Sequence, residues 1–141
     1  MKKNMVLGLL TVILLFPATL WAQAESDSKP GENLVIVWTS DDPYVAERMV
    51  LMYAHAVKTN GWFEEVTIII WGPSAKMVAE NSKIREKLEN MQKDGVEIRA
   101  CIVCANMYEV TEELKAMDFD VQGMGRPLTE YLKSGAHVLT F

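Results

Sequence analysis

An α/β fold with a mainly parallel, five-stranded sheet covered by helices is what the sequence predicts. Three observations carry that prediction. Leu34–Trp38 (LVIVW) and Val66–Trp71 (VTIIIW) are unbroken apolar runs rather than alternating ones, the pattern of strands buried on both faces of a parallel sheet. Stretches of helical periodicity separate them from each other and from later strand-like runs. Gly, Pro, Asn and Asp punctuate each change of period, as in successive strand–helix–strand units.

Residues 1–24 stand outside this fold. Lys2 and Lys3 precede the apolar run Met5–Phe16, Pro17 interrupts it, and Ala22-Gln23-Ala24 offers small residues for cleavage after Ala24. That is the pattern of a signal peptide, and it predicts a periplasmic or secreted protein. The alternative is a retained anchor, since Met5–Ala24 approaches bilayer-spanning length. With the leader removed, no stable membrane association is expected. Residues 25–33 (ESDSKPGEN) read as a polar linker, and residues 34–141 as one domain.

The first strand, Leu34–Trp38, ends at Thr39-Ser40-Asp41-Asp42-Pro43, where Asp41 or Asp42 can cap a helix that Pro43 opens. The helix Pro43–Thr59 carries Val45, Met49, Met52, Tyr53 and Ala56 as its expected sheet-facing stripe. Tyr44, Leu51 and His55 fall off that stripe and give a second, partly apolar face suited to a subunit contact. Gly61 closes the helix. After the strand Val66–Trp71, Gly72-Pro73-Ser74 turns into Ala75–Glu80, and Ser82 is the expected cap of a helix Lys83–Lys93 with Ile84, Leu88 and Met91 buried. Val96–Ile102 is the third strand, followed by a short helix to Tyr108 and another starting at Thr111. Phe119–Val121 is the fourth strand, Leu128–Lys133 a last helix, and His137–Phe141 the fifth strand.

Charge narrows the function classes. The formal net charge is −5, and removing Lys2 and Lys3 takes it to −7. An acidic chain without a basic stripe lacks the phosphate contacts on which nucleic-acid affinity rests, so no nucleic acid is expected. The two cysteines and the histidines at 55 and 137 have no metal-ligand spacing, so no metal site is expected. Each histidine reads as an ordinary helix or strand residue. Gly123-x-Gly125 is neither a P-loop nor a dinucleotide fingerprint. It reads as a turn into the last helix, with Arg126 able to add charge. No cofactor is indicated.

Chemistry concentrates at Gly95–Glu113, which holds both cysteines, Cys101 and Cys104. Right-handed crossovers put the post-strand loops along one edge of the sheet, where ligands of such folds bind. That edge collects Ser40, Asp41, Trp71, Cys101, Cys104, Asn106 and Arg126. Cys101 ends a strand before a helix, a setting that favours the nucleophilic thiolate. Cys104 is a candidate resolving thiol. The plain alternative for both is a small buried core residue.

The strands LVIVW and VTIIIWG, with GVEIRACIVCANMYEVTEEL and a closing helix and strand, together resemble the DsrE/DsrF-like (YchN-like) superfamily over Leu34–Phe141. The specific residues are Gly95, Val96, Cys101, Glu113 and Leu114. The resemblance implies a three-layer α/β/α fold and a homo-oligomer, trimeric or hexameric. It also implies sulfur relay, with Cys101 as the sulfur-accepting thiol of a persulfide carrier and with sulfur donor and acceptor proteins as partners. Two rivals stand beside that reading. One is a non-catalytic oligomeric module that binds a small ligand or a partner at Ser40, Asp41, Trp71, Asn106 and Arg126. The other is a Cys101/Cys104 dithiol–disulfide oxidoreductase, which the expected export to an oxidising compartment favours.

Overall fold

The structure, a computed structural model, describes residues 31–141. The leader and most of the linker therefore lie outside the described residues. Five strands, β1 (Asn33–Trp38), β2 (Glu65–Ile70), β3 (Glu97–Cys101), β4 (Asp120–Gln122) and β5 (His137–Thr140), form one sheet in the order β4-β3-β2-β1-β5. Every neighbouring pair is parallel, with Leu34 beside Val66, Thr67 beside Glu97 and Leu34 beside His137 in register.

Connection direction fixes the layers. From β1 to β4 the chain steps one way across the sheet, and from β4 to β5 it returns over the full width. Right-handed crossovers place the helices of the first three connections on one face and the last helix on the other. The first face receives α1 (Pro43–Val45), a π-helical segment (Ala46–Leu51) and α2 (Met52–Thr59), which run on as one helix. It also receives α3 (Ser74–Glu80), α4 (Ser82–Lys93), α5 (Ile102–Met107) and α6 (Thr111–Ala116), while among the described residues α7 (Gly125–Ser134) covers the second. The fold is a three-layer α/β/α sandwich.

The continuous apolar runs are explained by this two-sided cover. Leu34, Val35, Ile36 and Trp38 are all buried, as are Ile68, Ile69 and Ile70. Under α7 the second face turns polar toward β3 and β4. The Thr67 hydroxyl donates to Glu97 at 3.1 Å, the Tyr131 hydroxyl donates to the same carboxylate oxygen at 3.3 Å, and Arg99 pairs with Glu97 at 2.7 Å. The Arg99 guanidinium also lies 5.6 Å from the Tyr131 ring centroid, so one helix is held by a charged and aromatic cluster rather than by apolar contact alone.

Two expectations about the helices need correction. The buried side of the first long helix is Ala46, Val50, Leu51, Ala54 and Val57, whereas Met49 is 48% and Met52 56% exposed. The expected stripe of Val45, Met49, Met52, Tyr53 and Ala56 is thus rotated by about one residue. The π-helical turn, with its wider i→i+5 bonding, shifts the phase that a constant period assumes. The cap of α4 is Asn81, not Ser82: its side-chain oxygen accepts from the Lys83 and Ile84 amides at 3.1 and 3.2 Å. At the first helix Asp42 is the cap, accepting from Tyr44 at 2.7 Å.

Candidate functional site

Cys101 is the last residue of β3 and pairs in register with Gln122, the last residue of β4. The chain leaves β3 toward the face of α5 and leaves β4 toward the face of α7. Adjacent strands whose connections part to opposite faces define the switch point where open α/β sheets bind ligands. Cys101 sits at that point, 5% exposed. Ile70 pairs with Ala100, which makes Trp71 and Cys101 the next residues on the neighbouring chains, and Trp71 is half-buried there.

Cys104 lies in the first turn of α5, 8% exposed, and both cysteines are free thiols. Cys104 follows Cys101 by three residues, at the start of the helix that Cys101 caps. Burial pushes the Cys104 thiol above its ordinary range, the Gly72 amide pulls it back, and the neighbouring Cys101 pushes it up again. Cys101, at the N-cap of α5, makes no side-chain capping bond.

Gly72 can offer its amide because of the turn that holds it. Its φ is +75°, a conformation open to glycine and strained for other residues. Ser74 is fully buried directly behind it. The Ser74 hydroxyl donates to the Trp38 carbonyl at 2.6 Å, has the Trp71 carbonyl as a longer second acceptor at 3.2 Å, and accepts from the Trp71 amide at 3.1 Å. One hydroxyl thus ties the ends of β1 and β2 together. Sequence reasoning placed Ser74 in a turn and missed this role; serine after Gly-Pro at a strand end was the available signal.

The remaining residues expected at the edge are dispersed. Ser40 accepts from the Asp42 amide at 3.1 Å, which serves the cap. Asn106 accepts from the Thr111 hydroxyl at 2.7 Å and so joins α5 to α6. Arg126 is 89% exposed along its side chain and paired with Glu130 at 2.8 Å. Asp41 lines an open groove of about 850 Å³ with Pro43, Pro73, Lys76, Met77 and Tyr108, and Trp71 and Arg126 are not part of its wall. Among the described residues no three His, Cys, Asp or Glu side chains converge on a metal-sized site, and no helix is long and apolar enough to cross a membrane.

The three-layer parallel sheet is where the comparison with known proteins agrees with the geometry. The chain belongs to the DsrE/DsrF-like family, which matches residues 32–141. A solved structure of similar fold is that of BT1422, a conserved protein of unknown function from Bacteroides thetaiotaomicron. It is 35% identical, with a TM-score of 0.75 over 78% of this chain and 95% of that one. No curated protein matches.

Proposed function

We propose that this protein accepts and carries sulfane sulfur on Cys101. The observation that supports the reading most is the position of Cys101 at the β3/β4 switch point, with a second free thiol, Cys104, in the first turn of the following helix. A Cys101 thiolate attacks the outer sulfur of a persulfide donor R–S–SH. The donor's S–S bond breaks, R–S⁻ leaves, and Cys101–S–SH forms with no net oxidation. Handing the sulfur on repeats the same exchange in the opposite direction.

The second free thiol favours one second reading. Oxidation of Cys101 and Cys104 together by an external disulfide would give an internal disulfide and two thiols, which is dithiol exchange. The export expected from the N-terminal sequence favours this second reading, since disulfide formation competes with a persulfide in an oxidising compartment. Oligomer formation belongs to the same proposal, supported by the exposed Tyr44, Met49 and Met52 on the first helix. The test of the main reading is sulfur loading from a small persulfide donor. Wild type gains sulfur, Cys101→Ser does not, and loss of loading in Cys104→Ser alone would move the acceptor to the wrong residue.

A further inference from the structure

We propose that α7 is a hinged lid over the sheet face that carries Cys101, latched shut by the Tyr131 hydroxyl on Glu97. This deepens the sulfur-carriage reading and rests on it for its purpose, though not for its measurement.

Strand register places the thiol on the side that α7 covers. Glu97 and Arg99 stand on that side of β3: Glu97 accepts from the Tyr131 hydroxyl at 3.3 Å, and the Arg99 guanidinium lies 5.6 Å from the Tyr131 ring centroid. Side chains alternate along a strand, so Cys101, two residues beyond Arg99 in β3, falls on the same side. Its register neighbour Gln122 ends β4, and α7 begins three residues later at Gly125. Cys101 is 5% exposed, whereas thiol exchange requires access for the incoming sulfur.

The hold of α7 on the sheet is slight and largely polar. None of its residues is buried, and Leu128 and Tyr131 are the side chains it packs against the core. By contrast, α4 buries Ile84, Leu88 and Met91. The Tyr131 hydroxyl shares one oxygen of Glu97 with the Thr67 hydroxyl, which donates at 3.1 Å, while Arg99 holds the other oxygen at 2.7 Å. Glu97 therefore keeps two donors when the helix lifts away, and opening leaves no carboxylate without a partner.

Glycines flank the moving element. A Cβ at Gly123 or Gly125 would meet no atom within 4 Å outside its own stretch of chain among the described residues, and neither glycine has a positive φ. Packing and backbone geometry thus leave room for alanine at both positions, and what glycine adds there is freedom of rotation. Gly135, at φ +83°, ends the helix on the other side. Hinges are short segments of this kind beside an element that moves as a body.

The test is alkylation of Cys101 with iodoacetamide in native buffer, read by peptide mass spectrometry so that Cys104 is counted separately. Alkylation takes minutes and helix motions take microseconds to milliseconds, so the rate reports the open fraction. Tyr131→Phe keeps the ring over Arg99 and loses the hydroxyl, and is expected to raise the rate at Cys101 about tenfold. Gly123→Ala/Gly125→Ala is expected to lower it about threefold by stiffening the hinge. Ile84→Val trims the buried side of α4 in the opposite layer and is expected to leave the rate in place. An unchanged rate in folded Tyr131→Phe, a rate that is not lowered in the glycine variant, or an equal rise in Ile84→Val overturns the proposal. Should Tyr131→Phe not fold, the glycine variant decides: slower labelling supports the lid, and unchanged labelling overturns it. Alkylation reads access whether or not Cys101 takes sulfur, so the lid and the carriage reading fail separately.

Discussion

Among single residues, Tyr131 has the clearest titration behaviour. Burial pushes its phenol above the ordinary value, with the Glu97 carboxylate adding to the shift against opposing help from Thr67 and Arg99. A raised folded-state value favours the protonated form. The contribution is therefore fully present below about pH 10, the unfolded value, and is lost as pH rises through the folded one. Urea unfolding between neutral pH and pH 11 is expected to show a steeper alkaline decline for wild type than for Tyr131→Phe. Parallel curves would remove Tyr131 as the cause. Part of this residue scale was legible in the sequence. Cys101 stood out because cysteines are few and this one ends a strand. The Thr67, Glu97, Arg99 and Tyr131 cluster did not, since its hydrogen bonds between elements join residues 30 to 64 positions apart, which meet only through the register of β2 and β3 and the return of α7.

Among elements, the strands were the easy part. An apolar run covered on both faces has no phase to misjudge, so β1 and β2 lie within one residue of their expected limits. The first helix was harder because it carries apolar residues on two sides. Hydrophobicity alone could not say whether Met49 and Met52 or Val50 and Leu51 face the sheet. Packing decides for the second pair, with Leu51 fully buried and Met52 56% exposed. Leu51→Ala is expected to cost about 2–5 kcal/mol in chemical denaturation, against within about 0.5 kcal/mol for Met52→Ala. Equal losses at the two positions would contradict this phase. The caps show the same limit of sequence reading. Asn81 and Ser82 are both good N-cap residues, and only the extended backbone of Asn81 (φ −109°, ψ 102°) separates them.

For the whole molecule, the arrangement follows from one reversal of direction. Three crossovers build one helical layer, and the fourth carries the chain back beneath the sheet, opening the crevice between β3 and β4 where Cys101 ends its strand. The exposed Tyr44, Met49 and Met52 lie on the outer side of the first layer. If that side joins subunits, the double substitution Met49→Glu/Met52→Glu lowers the mass seen by light scattering and leaves the circular dichroism spectrum intact. An unchanged mass would put the subunit contact elsewhere. The proposed sulfur chemistry had support in the sequence only through the resemblance to a family, because position alone favoured a buried core cysteine.

The account depends most on where sulfur goes. Peptide mass spectrometry of the full chain, purified without reductant and then incubated with a small persulfide donor, reads this directly. The predicted result is a gain of about 32 Da, one sulfur atom, on the peptide carrying Cys101, reversed by an acceptor thiol and absent from Cys101→Ser. Cys101 left unmodified in a folded protein, with the donor demonstrably active on a control thiol, would contradict the account.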